Sequence, residues 1–187
     1  GTPCCDPPWR SGRFPQVIFM EYYGLIATAD HSRECLELHS KANDEIRDYF
    51  GIREEYPRPE LIQTGDNTFA SRTEYLTSYF KDHSLSPRLL DEVVLYPDQL
   101  VYLNGSVSVD GTDNKMNIHA KTGEILYKTN ASEARTMEEA LLAYVYIIDH
   151  IEKLGLSLKT MTGSDTDFIT NWEGEHYRKS LVKDFAR

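Results

Sequence analysis

The sequence predicts an α+β domain in which an antiparallel β-meander packs against helices and the N-terminal part is mainly helical. Apolar and polar side chains alternate in short segments between residues 99 and 129, which is the period of a strand. Apolar residues recur at helical spacing before and after these segments. Helices followed by a run of strands and then a further helix are typical of the α+β class.

The start of the chain predicts an arm and a first strand. Four prolines within the first 16 residues indicate an extended arm, so a single α+β domain is expected over residues 17–187. Residues 17–23 form a mainly apolar and aromatic run, short enough for a buried strand. The domain is therefore expected to begin with a strand inside its core.

A long amphipathic helix is predicted for residues 31–50. Asp30 is a suitable N-cap residue, and Gly51 readily takes the left-handed conformation that follows a helix end. The predicted apolar stripe consists of Cys35, Leu38, Ala42, Ile46 and Tyr49. Such a stripe is expected to face the core.

Loop and helix signals follow. Residues 52–68 contain two prolines and are predicted to be a loop. A second helix is predicted for residues 71–83 from its apolar periodicity. Ser86 and Pro87 predict the start of a third, short helix, because proline at the first helical position loses no hydrogen bond.

The predicted meander has four strands joined by tight turns. Asn104 and Gly105 supply the pair of positive φ angles that a type I′ hairpin needs. Asp110 and Gly111 are expected to turn the chain again. The four strands are predicted at residues 99–103, 106–110, 115–120 and 124–129.

The helix after the meander has clear start and stop signals. Thr136 and Glu139 fit a capping box, in which each side chain satisfies the other residue's backbone N–H. Gly155 is expected to end the helix. A last strand is predicted at residues 156–161, an acidic loop at 163–167 and a final helix at 168–185.

Charge and composition argue against several classes of protein. A formal net charge of −10, with the basic residues interspersed among acidic ones, disfavours non-specific coating of duplex nucleic acid. No apolar run reaches the roughly 18 residues of a membrane-spanning helix, so no membrane insertion is expected. Three cysteines are too few for a disulfide framework and favour an intracellular protein over a secreted one.

One short pattern has the chemistry of a metal-dependent nuclease. Pro97 and Asp98, followed by Asp113, Asn114 and Lys115, spell the PD…DxK string of such enzymes. There, two carboxylates hold Mn²⁺ or Mg²⁺, the metal stabilises charge on the scissile phosphate, and the lysine positions the attacking water. The string is short and permissive, so its specificity is low.

The other residues of this hypothetical site are less well defined. Asp110 is an alternative second carboxylate, and His39 on an upstream helix is an additional candidate metal ligand. Asp113 and Lys115 fall in a predicted loop, whereas the chemistry requires them on a strand. These features make the nuclease the alternative interpretation rather than the favoured one.

Two further groups have metal-ligand chemistry. His31, Cys35 and His39 recur every four residues on one predicted helix face and carry zinc-binding atoms. Eight residues of helix span about 12 Å, too far for all three to reach one ion, so packing is the favoured interpretation. Residues 110–114 are rich in oxygen atoms but lack the register of a Ca²⁺ loop and are interpreted as a solvated turn.

Tyrosine is the remaining signal. The chain has 12 tyrosines, roughly twice average usage, and this residue is enriched at protein–protein interfaces. Local pairs occur at Tyr22 and Tyr23, Tyr75 and Tyr79, and Tyr144 and Tyr146. The favoured interpretation is a non-catalytic module, whole or part of a larger protein, that binds another protein. Mn²⁺ or Mg²⁺ is expected only under the nuclease alternative.

Overall fold

The computed structural model of the chain describes residues 15–22, 24–83, 90 and 92–171. The chain divides into two compact units, residues 1–55 and 56–187. The arm predicted for residues 1–16 lies outside the described residues except for its last two. The single domain predicted for residues 17–187 stays a prediction.

The first unit contains a two-stranded antiparallel sheet and one long helix in its described part. These elements are β1 (Gln16–Met20), β2 (Gly24–Thr28) and α1 (Ser32–Phe50). The prediction of a mainly helical N-terminal part is therefore not confirmed. The helix itself lies where predicted, and Gly51 ends it at a φ of 70°, but its N-cap is His31 rather than Asp30.

The first strand is exposed, so the prediction of a buried strand at residues 17–23 was wrong. All five residues of β1 are exposed, and the chain turns at Glu21 and Tyr22 instead of continuing the strand. Within α1, Ile46 and Tyr49 of the predicted stripe are exposed, and no residue of the helix is buried. Apolar periodicity therefore predicted these elements but not their burial.

The second unit is built on a five-stranded sheet with helices packed against it. The strands are β3 (Leu61–Gly65), β4 (Thr68–Ser71), β5 (Val107–Val109), β6 (Met116–His119) and β7 (Glu124–Lys128). Their order in the sheet is β3-β4-β7-β6-β5. The helices are α2 (Glu74–Asp82), α3 (Pro97–Tyr102), α4 (Ala131–Leu154) and α5 (Gly163–Asn171).

The α+β class is confirmed, but the sheet is mixed and is not a simple antiparallel meander. β5 pairs with β6 in parallel, with Val107 opposite Met116, whereas the other pairs are antiparallel. Only residues 110–115 join these two strands, far fewer than a helical crossover uses. Asp110 takes a φ of 54° at the start of this connection. The Asp110–Gly111 pair predicts a hairpin here, because turn residues do not distinguish the two kinds of connection.

The segment predicted as the first meander strand, residues 99–103, is helical instead. Pro97 occupies the start of α3, a position where the missing N–H costs nothing. Asn104 and Gly105 therefore follow a helix rather than close a hairpin. β3 likewise lies within residues 52–68, which were predicted to be a loop. Two prolines precede this strand, and it has only five residues. The sequence pattern of a loop was therefore stronger than that of a strand.

The long helix begins before its predicted capping box, with its N-cap at Asn130 instead of Thr136. Asn130 is the N-cap, and its side chain accepts a hydrogen bond from the Glu133 backbone N–H at 2.9 Å. Thr136 lies inside the helix, where its hydroxyl donates to the Ser132 carbonyl oxygen. The end of α4 was predicted correctly, since Gly155 takes a φ of 63°.

The C-terminal predictions are partly outside the described residues. Residues 156–161, predicted as a strand, form no regular element, and residues 163–167, predicted as a loop, begin α5. The described chain stops at Asn171, so most of the helix predicted for residues 168–185 lies beyond it. The helix predicted from Ser86 and Pro87 is also outside the described residues.

The core of the second unit lies between the sheet and α4. Side chains from α2, α4, β6 and β7 fill it, and the largest fully buried ones are Leu76, Phe80, Leu90, Leu103, Met116, Ile118, Ile125, Tyr127, Met137, Leu141, Leu142 and Tyr144. Among the described helices, none combines the length and apolarity needed to cross a membrane.

Candidate functional site

The structure places the predicted nuclease residues on separate elements. Asp98 is exposed in the first turn of α3, and Asp113 is exposed in the connection between β5 and β6. Asp110 accepts a hydrogen bond from the Ala120 backbone N–H at 3.0 Å. Lys115 donates a hydrogen bond to the Glu133 carboxylate instead of facing an open site.

The predicted metal ligands do not form a cluster in the described residues. His39 is exposed on α1, in the first unit, whereas Asp98 and Asp110 belong to the second. Cys35 is half-buried, and its thiol lies 3.9 Å from the Ala29 carbonyl oxygen. Across the ranges that the structure describes, no three His, Cys, Asp or Glu side chains are placed to hold one metal ion. The nuclease hypothesis stays a prediction.

The structure does bring tyrosines together on the surface of the second unit. Tyr75 and Tyr79 lie one turn apart on α2, Tyr146 lies on α4, and Tyr56 precedes β3. We call these four residues the tyrosine face. Of the local pairs noted in the sequence, the α2 pair contributes both tyrosines to this face and the α4 pair contributes only Tyr146, because Tyr144 is buried.

Ring contacts join three members of the tyrosine face, Tyr56, Tyr75 and Tyr146, whereas Tyr79 contacts the neighbouring His83 ring. The centroids of Tyr56 and Tyr146 are 4.9 Å apart in an edge-on arrangement, and those of Tyr75 and Tyr146 are 5.8 Å apart. Tyr79 stacks on the His83 ring at 4.3 Å. Aromatic pairs at these separations are worth about 0.5–1.5 kcal/mol beyond their buried area. The rings therefore form a defined platform rather than independent side chains.

Hydrogen bonds fix the orientation of Tyr75. Its hydroxyl donates to the Asp149 carboxylate, which also accepts from the Lys153 ammonium at 2.6 Å. Burial would raise the pKa of Asp149, but the hydrogen bonds from Lys153 and Tyr75 outweigh it and lower that pKa. The carboxylate is therefore ionised at neutral pH and can anchor the phenol of the platform.

The phenols of Tyr56 and Tyr79 stay protonated at neutral pH. Burial, with Tyr146 and Glu139 nearby, raises the pKa of Tyr56 to about 12. Burial also raises the pKa of Tyr79, with Glu152 and Asp149 adding to the effect. Protonated hydroxyls donate as well as accept hydrogen bonds, so they can bind either an acceptor or a donor group of a partner.

A second row of groups supports the tyrosine face from below. The Tyr96 hydroxyl donates to the Ala140 carbonyl oxygen, and burial raises its pKa strongly. Tyr144 is buried, and His150 lies beneath Tyr146 with a ring separation of 4.0 Å. Tyr146 of the tyrosine face therefore packs against a buried side chain of the same helix.

The rotation of α4 that presents Tyr146 is fixed by a buried carboxylate. Glu138 has no exposed surface and accepts hydrogen bonds from the hydroxyls of Ser71, Thr73 and Tyr127. Burial raises its pKa, and the three hydrogen bonds only partly oppose that effect. Because Glu138 binds β4 and β7, the helix can present only one face to the sheet.

Sequence reasoning missed Tyr56, Tyr96 and the role of Asp149. Tyr56 and Tyr96 have no neighbouring tyrosine in sequence, so no pattern linked them to α2 or α4. Asp149 precedes His150, but its contact with Tyr75 spans 74 residues of sequence. Only the folded arrangement reveals such long-range pairs.

Comparisons with known proteins found no match for this chain, whether among protein-family models, curated protein sequences or solved structures.

Proposed function

We propose that this chain is a non-catalytic protein-binding module and that the tyrosine face contacts its partner. The convergence of Tyr56, Tyr75, Tyr79 and Tyr146 from three segments of the chain carries the proposal. Tyrosine offers a large apolar ring and a polar hydroxyl, and it loses little conformational freedom when it is bound. A surface of this composition is typical of protein interfaces.

The accessibility of the rings supports the proposal. Tyr56 is 45% exposed, and Tyr75, Tyr79 and Tyr146 are half-buried. Half-buried rings held by neighbours keep their position before a partner arrives, which reduces the entropy lost on binding. Rings of this kind are frequent among the few residues that contribute most of the binding energy.

The first unit also exposes large apolar side chains. Phe19 is 73% exposed on β1, and Leu36 and Tyr49 are 72% and 84% exposed on α1. A helix of this length with no buried residue gains little from tertiary packing, which is the main source of helix stability in proteins.

The test is affinity capture with the full chain as immobilised bait and an extract of its source cells. Three baits are compared: the unchanged chain, the double variant Tyr56→Ser/Tyr146→Ser, and the single variant Tyr49→Ser. We expect the double variant to lose at least tenfold of the captured partner. Tyr49→Ser serves as the matched control, because it removes a more exposed tyrosine from the other unit.

Two results would overturn the tyrosine face as the contact surface. One is equal capture by the unchanged chain and the double variant. The other is loss of capture with Tyr49→Ser alone, which would assign binding to the first unit. Circular dichroism and melting temperature verify that each bait is folded, so that a loss of capture reports on the surface.

A further inference from the structure

The second unit contains a groove on the sheet face turned away from α4. Ser71 and Tyr127 bind Glu138 of α4, so the alternate residues Ala70 and Leu126 point to the opposite face. Ala70 and Leu126 are cross-strand partners and form the floor of this groove. Its volume is about 540 Å³, within the range of small-molecule sites.

One wall of the groove is the helix α2. Thr77 and Lys81 lie one turn apart on this helix and both line the groove. The helix comes close to the turn between β6 and β7 because Gly123 has no side chain there. A Cβ atom at this position would overlap the Thr77 carbonyl oxygen. The close approach places Lys81 beside the neighbouring lining residues Thr122 and Glu124.

The groove contains two cations without a carboxylate partner. Within the part of the chain that the structure describes, Arg72 and Lys81 form no ion pair. By contrast, Lys115, Arg135 and Lys153 of the same unit each contact a carboxylate. The chain has a net charge of −10, and these two cations lie in one groove. They leave a positive site that is complementary to an anion.

Hydroxyl groups and one carboxylate complete the lining. Thr64 and Thr122 both line the groove, and neither hydroxyl donates a hydrogen bond to another described residue. Both can therefore donate to a ligand oxygen. Glu124 also lines the groove and would repel a bare anion, but it accepts hydrogen bonds from hydroxyl or amino groups.

We propose that this groove binds a small phosphorylated molecule that also carries hydroxyl groups, such as a sugar phosphate. The phosphate would lie between Arg72 and Lys81, since a guanidinium and an ammonium are the side chains best suited to phosphate oxygens. The sugar hydroxyls would donate to Glu124, and its carbon skeleton would lie on the apolar floor. This site is separate from the tyrosine face and does not depend on the function proposed for it.

The test uses ribose 5-phosphate as the probe, with ribose and inorganic phosphate as comparisons. Backbone amide chemical shifts of the ¹⁵N-labelled full chain are followed during each titration. We expect ribose 5-phosphate to shift amides in residues 62–72, 77–81 and 122–126, and to bind at least tenfold more tightly than either comparison compound. Arg72→Gln and Lys81→Gln should each weaken the binding about tenfold.

Two further variants make the test specific. Lys121→Gln removes an exposed cation beside the groove that does not line it, and it should change the affinity less than twofold. Glu124→Gln should strengthen the binding of inorganic phosphate and reduce the preference for ribose 5-phosphate. The proposal is overturned if ribose 5-phosphate causes no shifts at 10 mM, or if Lys121→Gln weakens binding as much as Lys81→Gln does.

Discussion

The Tyr127 hydroxyl donates a hydrogen bond to the Glu138 carboxylate in the centre of the second unit, where neither residue has exposed surface. This contact joins β7, the central strand of the sheet, to the long helix across 11 residues of sequence. Ser71 and Thr73 donate to the other carboxylate oxygen. One side chain therefore links β4, β7 and α4.

We expect Glu138→Ala to destabilise the protein by about 3 kcal/mol, because it leaves three buried hydroxyls without their acceptor. Glu138→Gln keeps the size of the side chain and one acceptor oxygen, so we expect its effect to be below about 1 kcal/mol. Urea denaturation at pH 7, followed by circular dichroism, measures both. Equal losses for the two variants would show that packing rather than hydrogen bonding dominates at this position.

The pH dependence of Glu138 gives a second, independent prediction. Its pKa is raised in the folded state above the ordinary value of 4.5, so the folded protein retains this proton at pH values where the unfolded chain has lost it. The free energy of unfolding should therefore fall as the pH rises from about 4.5 toward the folded pKa. Glu138→Gln should flatten this slope in urea titrations between pH 4.5 and 7. An unchanged slope would contradict a raised pKa for Glu138.

The buried Gln99 side chain is the basis of a third prediction. Its amide nitrogen donates to the Leu90 and Val93 carbonyl oxygens, and its oxygen accepts from the Leu95 N–H, each at 2.8 Å. Gln99→Ala would leave three backbone groups unsatisfied, two of them buried and one partly buried, and should cost about 3 kcal/mol. Gln63→Ala is the control, because that side chain is exposed and its loss should cost less than about 0.5 kcal/mol.

The variant Gln99→Glu separates hydrogen bonding from packing at this site. Glutamate has nearly the same shape, but its carboxylate cannot donate to the two carbonyl oxygens. We expect the melting temperature of Gln99→Glu at pH 7 to be no higher than that of Gln99→Ala. A melting temperature equal to that of the unchanged protein would show that the two donated hydrogen bonds contribute nothing.

Gln99 also shows what the sequence could and could not predict. Helix ends were predicted correctly where they depend on a single local residue. Gly51 and Gly155 end α1 and α4 as expected. Gln99 lies in a segment whose apolar and polar side chains alternate, which predicts a strand. Its hydrogen bonds to Leu90 and Leu95 instead hold it in the first turn of a helix. Tertiary hydrogen bonds of this kind have no sequence signature.

The tyrosine face was only partly predictable for the same reason. Composition indicated an interface, and helical spacing placed Tyr75 and Tyr79 on one side of α2. The contact between Tyr56 and Tyr146 depends on where a loop crosses the long helix, which no local pattern encodes. The parallel pairing of β5 with β6 was unpredictable as well, because turn residues do not specify the direction of the returning strand.

Gly123 provides a fourth prediction with a matched control. This glycine has a φ of 72°, and a Cβ atom there would overlap the Thr77 carbonyl oxygen. Gly105 has a similar φ of 65°, but a Cβ atom there would meet nothing. Gly105→Ala should therefore cost about 1 kcal/mol for its left-handed backbone alone, and Gly123→Ala about 3 kcal/mol. Equal losses in urea denaturation would contradict the close approach of α2 to the β6–β7 turn.

Lys115 provides the last prediction, and it separates a structural role from the nuclease hypothesis. Burial would raise the pKa of Glu133, but hydrogen bonds from Lys115 and Thr129 outweigh it and lower that pKa. The stabilisation is therefore present above the ordinary value of 4.5 and is lost as the pH falls through the folded pKa. Lys115→Met should cost about 0.5–1 kcal/mol at pH 7, since the pair is partly exposed, and less at pH 3.

Lys121→Met is the control for Lys115→Met, because Lys121 is exposed and forms no ion pair with another described residue. Its effect should stay below about 0.5 kcal/mol at both pH values. The same proteins are assayed for cleavage of single- and double-stranded DNA with millimolar Mn²⁺, alongside Asp98→Ala. Since Lys115 already contacts Glu133, we expect no cleavage by any of them. Mn²⁺-dependent cleavage that disappears with both Asp98→Ala and Lys115→Met, while Lys121→Met retains it, would instead establish the nuclease.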